Sequence, residues 1–157
     1  MVRELVKKLL GLVKYYQPEG YSPLHFVVDK NFGISNPANR LEMFQNIFNE
    51  EEDKNPKDFL GNTPLHIAAK DPRKLNICKL ILENTQDKNP PNENYDKNTP
   101  LHIAALSGNI EYFELFLNYS SDIMPKNCNE NTPFHLAAEN NYLELCEFFI
   151  SKIKGDS

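Results

Sequence analysis

The chain contains four histidines, and each closes the same tetrapeptide: Ser22-Pro23-Leu24-His25, Thr63-Pro64-Leu65-His66, Thr99-Pro100-Leu101-His102 and Thr132-Pro133-Phe134-His135. An imidazole beside a hydroxyl offers metal ligation, general-base chemistry or structural hydrogen bonding. Shared ligation needs every donor about 2 Å from one ion. Spacings of 41, 36 and 33 residues between the hydroxyl residues put each imidazole in its own unit instead, and packed helical units sit roughly a nanometre apart. A nucleophile needs an adjacent base. Of the three cysteines, Cys128 has His135 seven residues on, but that histidine belongs to the repeated motif. The sequence has no Gly-rich phosphate loop, no His-Glu-x-x-His and no Cys-x-x-Cys. The expectation is therefore no catalytic residue, no cofactor and no metal, hence not an enzyme.

The elements that carry these tetrapeptides repeat as well. The last three motifs continue as His-Ile-Ala-Ala, His-Ile-Ala-Ala and His-Leu-Ala-Ala, and the longer spacings reduce to a 33-residue period with insertions of three and eight residues. A second register agrees, because Asp53-Lys54-Asn55-Pro56, Asp87-Lys88-Asn89-Pro90 and Asp122-Ile123-Met124-Pro125 fall between successive motifs. Ser or Thr suits a helix N-cap, since its hydroxyl accepts from an orphan backbone N–H. Pro fits the first helical position, where no N–H partner is needed. Small pairs, Ala68-Ala69, Ala104-Ala105 and Ala137-Ala138, let another helix approach closely. Gly108 and Asn141 then break the helix, both tolerating left-handed backbone. Second helices follow with apolar residues at helical spacing: Ile110, Phe113, Leu115, Phe116 and Leu117, then Leu143, Leu145, Cys146, Phe148, Phe149 and Ile150. Asn-rich segments with Asp and Pro suit turns between units. Cys78 and Cys146 align with Phe113 and read as core fillers; Cys128 lies in a loop.

With these motifs the chain resembles the ankyrin repeat family, whose signature T-P-L-H-x-A-A-x-x-G runs over about 33 residues. Four consecutive units cover residues 17 to 154. The resemblance implies an all-α fold: a solenoid of stacked helix-turn-helix units with projecting β-hairpin loops. Residues 1–157 are expected to form one domain, with a capping helix at 1–16 and repeats at about 17–57, 58–93, 94–126 and 127–157. It also implies that each His bonds back to the hydroxyl of its own motif and to backbone of the adjoining hairpin. The glycine usual two residues before the Thr is present as Gly20 and Gly61 but replaced by Lys97 and Glu130, which predicts less regular hairpins there. The first unit, with Val27-Val28 and an insertion around Phe32-Gly33-Ile34-Ser35-Asn36-Pro37, diverges most. Because each unit buries its faces on its neighbours, truncating Leu65, Leu101 or Phe116 to Ala is expected to cost about 2–5 kcal/mol. Asn55 and Asn89 occupy a place that intracellular asparagine hydroxylases modify in other members, though Lys54 and Lys88 stand where Val is usual.

Composition bounds the remaining classes. The chain has 157 residues, 40% hydrophobic and 25% charged, which suits one ordinary domain. Eleven Pro against six Gly argue against flexible low-complexity linkers. Mean hydropathy is −0.56, and no run approaches the ~18 apolar residues of a membrane span. Glu4, Lys7 and Lys8 interrupt any signal-peptide core near the start. A formal charge of −5 shows no basic face for nucleic acid. Three scattered cysteines point to a reducing compartment, so the expected location is intracellular, cytoplasmic before nuclear. From Arg3 to Tyr16, Leu5, Val6, Leu9, Leu10 and Val13 follow helical spacing with Lys7, Lys8 and Lys14 on the other side. This reads as an N-terminal cap, with a membrane-surface or partner helix as the alternative. Leu143 to Ile150 keeps a full internal apolar pattern although a solenoid end needs a polar outer face. Continuation of the chain, packing against a partner or itself, and simple exposure all remain open.

What is left for function is a surface. In similar ankyrin domains, partners touch the hairpin tips and the exposed side of the first helices. The matching positions are Tyr21; Phe59, Leu60 and Asn62; Tyr95, Asp96 and Asn98; Leu106 and Ser107; Asn129 and Asn131; Glu139 and Asn140. Phe59, Leu60, Tyr95 and Leu106 stand out as apolar or aromatic anchors, with hairpin packing the plainer reading. The acidic run Glu50-Glu51-Glu52-Asp53 reads as a solvated loop, or else as steering for a basic partner. The expected function is a non-catalytic protein-interaction module. The alternative is a regulatory or anchoring segment of a larger channel, enzyme or membrane-associated protein.

Overall fold

The repeated Ser/Thr-Pro-x-His tetrapeptide starts a helix in every unit. In the computed structural model, which describes residues 4, 6–8, 10–11, 20–29, 36–92, 96–155, Thr63, Thr99 and Thr132 are extended. Each is followed by Pro in the first turn and begins α3 (Pro64–Ala68), α5 (Pro100–Leu106) and α7 (Pro133–Glu139). Ser22 precedes α1 (Pro23–Asp29) in the same way. The second helices are α2 (Pro37–Glu50), α4 (Leu75–Asn84), α6 (Ile110–Tyr119) and α8 (Leu143–Lys154). A short 3-10 turn, Pro72–Lys74, absorbs the extra residue of the second unit ahead of α4. Between first and second helices, Gly108 and Asn141 hold φ of +67° and +59°, the left-handed break their residue types suggest. Among the described residues the secondary structure is helical, without strands.

First helices pack on first helices, α1 to α3 to α5 to α7, and second helices on second, α2 to α4 to α6 to α8. The core lies between these two layers. Leu24, Leu65 and Leu101 are fully buried, and so are Ala68, Ala69, Ala104 and Ala105, whose missing side chains allow the close approach. Cys78 is buried with its Sγ 3.0 Å from the Tyr112 hydroxyl, and that hydroxyl donates to the Ala68 carbonyl at 2.6 Å. Burial raises the Cys78 thiol to about 12, so it stays a neutral filler. Cys146 is only half-buried, because it lies on the last helix of the stack, and Cys128 is exposed. At the other end, Val6 enters the core and Leu10 packs against it while Lys7 and Lys8 face solvent. Leu5, Leu9, Val13, Lys14 and insertion residues 32–35 lie outside the described residues.

The Asp-Lys-Asn-Pro register has a local function. Asp53 and Asp87 accept the backbone N–H two residues on, at 2.9 and 3.3 Å, and so turn the chain. The following lysine reaches back to the open carbonyls at the end of the preceding second helix. Lys54 donates to Phe48 and Glu51, and Lys88 to Leu82 and Thr85. An ammonium there satisfies orphan acceptors and complements the negative helix end. In the third unit Asp122 makes the same turn onto Met124, but Ile123 replaces the lysine.

Backbone bonds close the hairpin tips, from the Asp58 N–H to the Asn62 carbonyl at 2.9 Å, Asn92 to Asn98 at 3.0 Å and Asn127 to Asn131 at 2.9 Å. The second and fourth tips add a return bond, from Gly61 to Asp58 at 2.9 Å and from Glu130 to Asn127 at 3.1 Å. Lys97 and Glu130, expected to loosen their hairpins, instead take φ of +50° and +61°, the left-handed backbone that Gly20 and Gly61 supply elsewhere. The fourth tip is thus as regular as the second, because the closing bond and the Asn127 side chain hold an unfavourable backbone in place. The third tip carries two more residues between its closing partners.

Candidate interaction surface

The histidines brace one unit against the next. Thr63 donates its backbone N–H to His66 Nδ1 at 3.0 Å, and Thr99 does so to His102 at 3.2 Å. An Nδ1 that accepts carries no proton, so the ring is the neutral Nε2–H tautomer. That Nε2–H donates onward: His25 to the Asn62 carbonyl at 2.8 Å, His66 to Asn98 at 3.2 Å and His102 to Asn131 at 3.0 Å. Burial lowers the affinity of all three for a proton, to about 4 for His66, against the opposing pull of the carbonyls. These imidazoles are occupied on both nitrogens. Among the described residues no three His, Cys, Asp or Glu side chains converge as a metal site would require.

Each brace ends on the carbonyl just before the next Thr, which fixes the hairpin tips in register. Side-chain amides continue the row, Asn92 donating to Asn62 Oδ1 at 3.3 Å and Asn127 to Asn98 Oδ1 at 3.0 Å. The Cys128 N–H donates to the Asp96 carbonyl at 3.0 Å, tying the third tip to the fourth. Beside this row lies an open groove of about 350 Å³. Six of the positions singled out from the sequence line it: Leu60, Asn62, Asp96, Asn98, Leu106 and Ser107. Leu60 and Leu106 form its walls, each about 40% exposed, and Asn62 lies buried in its floor.

Three further lining residues, Lys70, Asn92 and Ile103, were not singled out. The repeat did carry a signal for Lys70, which stands seven residues after Thr63, as Leu106 does after Thr99 and Glu139 after Thr132. Asn92 takes the place of Asp58 and Asn127, whose Oδ1 atoms accept N–H groups two and four residues on. In the longer third tip, Asn92 Oδ1 has no donor among the described residues. Lys70 and Asp96 give the rim one charge of each sign.

The other chosen positions that the structure describes lie apart from the groove. Phe59 projects from the second tip, 67% exposed, and does not tuck against a neighbour. Tyr21 is half-buried with its ring 5.2 Å from that of His25. Burial, then the Asp29 carboxylate, pushes its phenol upward. Asn129 is exposed at the fourth tip and Asn131 half-buried there. Glu139 and Asn140 are exposed at the end of α7, where Asn140 donates to the Leu136 carbonyl at 2.8 Å. Tyr95 lies outside the described residues.

A family model for ankyrin repeats matches three times along the chain, over residues 1–92, 32–127 and 75–156. The chain belongs to the ankyrin repeat family. Among curated relatives it is similar to an ankyrin repeat protein of fowlpox virus, 32% identical over 83 residues, which is 53% of this chain and 14% of that protein. Inversin of Gallus gallus is 37% identical over 65 residues, 40% of this chain and 6% of inversin. NF-kappa-B inhibitor alpha of Sus scrofa is 27% identical over 129 residues, 75% of this chain and 36% of the inhibitor. The chain therefore spans well under half the length of each of these relatives. Ankyrin repeats are generally protein-interaction modules without catalysis of their own, and no helix here is long and apolar enough to cross a membrane.

Proposed function

We propose that this chain holds a protein partner in the groove between the second and third units, with Leu60 and Leu106 as apolar anchors and the tip residues Phe59, Asn129 and Asn131 as flanking contacts. The observation that carries this is the convergence of six chosen positions on one concavity whose leucine walls stay exposed while the histidine braces beneath are buried. Exposed apolar side chains on a rigid scaffold contribute most where a partner desolvates them. The similarity to NF-kappa-B inhibitor alpha, a protein named for acting on another protein, fits the same mode. The chain acts inside the cell, in the cytoplasm before the nucleus, where thiols such as the exposed Cys128 stay reduced.

A photo-crosslinking residue in place of Leu106 should capture the partner from a native extract, and one in place of Lys79, exposed on α4 and not lining the groove, should not. A Leu60→Ala, Leu106→Ala double variant should bind the captured partner at least tenfold more weakly. Equal affinity of the double variant and wild type would remove the groove as the site. A second reading, a regulatory or anchoring segment of a larger channel, enzyme or membrane-associated protein, draws on the small share of each relative that the chain spans.

A further inference from the structure

The carboxamides in the floor of the groove form a row with one unpaired atom. Asp58 fixes the order of that row. Its carboxylate only accepts, so Asn62 turns Nδ2 toward Asp58 Oδ2, 3.2 Å away. Asn62 Oδ1 therefore faces the third unit and takes Asn92 Nδ2 at 3.3 Å. That places Asn92 Oδ1 at the open end of the row. In the fourth tip the matching atom, Asn127 Oδ1, accepts the Asn129 and Asn131 N–H groups, both at 3.0 Å. In the third tip two more residues separate the closing partners, and the Asn98 N–H does not make that bond. Asn92 is 5% exposed and lines the groove, and its Oδ1 has no donor among the described residues. A buried acceptor of this kind weakens the fold until something supplies a donor.

The surroundings restrict what that donor belongs to. Leu60, Leu106 and Ile103 give the groove apolar walls, and Lys70 and Asp96 set one charge of each sign on its rim. A charged occupant meets its like charge on that rim and loses water against the leucines. A carboxylate also brings acceptors to an acceptor. A wholly apolar group seals Asn92 Oδ1 away from water unpaired, which is the costly outcome. A carboxamide satisfies every condition. Its NH2 donates to Asn92 Oδ1, its carbonyl accepts from the exposed Lys70 ammonium, and it carries no charge. We propose that the groove reads a glutamine side chain of the protein partner, with its methylenes between Leu60 and Leu106 and its amide on Asn92 and Lys70. This assignment rests on the groove being the partner's seat, and it adds the chemistry by which a partner is selected there. The leucines supply contact with many apolar side chains, whereas the open acceptor admits only a neutral donor.

Random heptapeptides displayed on phage are the probe, selected on the whole 157-residue chain and counter-selected on the Leu60→Ala, Leu106→Ala variant. The expected groove-dependent peptides share one glutamine position beside an apolar residue. In a synthetic copy of such a peptide, Gln→Met at that position should weaken binding to wild type by about tenfold, and to Asn92→Ala by less than about threefold, because the acceptor is gone. Gln→Lys should cost about tenfold on wild type and less than about threefold on Lys70→Glu, where the like charge has been removed. Lys70 is exposed, so Lys70→Glu keeps its fold and decides the matter even if Asn92→Ala melts early. Groove-dependent peptides without a shared glutamine, a serine or threonine in its place, or a Gln→Met loss as large on Asn92→Ala as on wild type would overturn the assignment and leave the groove standing. A selection that yields no groove-dependent peptide removes the groove and this assignment with it.

Discussion

Acid should loosen the stack, and His66 supplies most of the measurable part. Its ring is wholly buried, accepts at Nδ1 from the Thr63 N–H at 3.0 Å and donates from Nε2 to the Asn98 carbonyl. A proton added at Nδ1 points a donor at a donor, inside the core. Burial accordingly lowers the group from its ordinary 6.5 to about 4, with the Asn98 and Pro90 carbonyls pulling the other way. The unfolded chain binds this proton near pH 6.5 and the folded chain only near 4. The stabilisation from keeping the ring neutral is fully present above pH 6.5 and is lost progressively as pH falls from 6.5 to about 4. At pH 5 the loss from His66 is about 2 kcal/mol, a large share of the ~5–15 kcal/mol that holds a typical domain folded. His25 and His102 shift in the same direction and deepen the slope. Urea unfolding followed by far-UV circular dichroism at several values between about pH 7.5 and pH 5 measures this. The expected curve is flat above pH 6.5 and falls below it. His66→Gln should be less stable at neutral pH yet shallower in its pH dependence. A wild-type curve flat to pH 5, or an equal slope in His66→Gln, would refute the tautomer assignment.

Two stability measurements follow from the packing and the backbone. Leu101→Ala removes a side chain with no exposure and should cost about 2–5 kcal/mol in urea unfolding, whereas Leu143→Ala, 71% exposed, should cost under about 0.5 kcal/mol. Glu130→Gly relieves a left-handed glutamate at φ +61° and should stabilise by about 1 kcal/mol, since the Lys126 pair it gives up is solvent-exposed and contributes little. Gly108→Ala should act in the opposite sense, its Cβ falling 2.9 Å from the Tyr142 ring at φ +67°; a neutral result by thermal melt would show that the break tolerates a side chain.

The repeat and its helix pairs were legible in the residues, because each rests on local chemistry, whereas the bracing role of the histidines came from the family resemblance, since the carbonyls their Nε2–H groups reach belong to the next unit. An N-cap hydroxyl, a proline in the first turn and an imidazole at the third helical position act within four residues of one another, whatever surrounds them. The left-handed breaks at Gly108 and Asn141 were legible for the same reason. Lys54 and Lys88 showed a register but not a role, since their carbonyl partners belong to the preceding helix. The backbone of Lys97 and Glu130 was misjudged, because residue type states only a preference and a closing hydrogen bond can override it. Tertiary structure alone decided which exposed positions share a concavity. Leu60 and Leu106 belong to different units, and only the stacking distance and the amide row beneath bring them to one groove with Lys70 and Asn92.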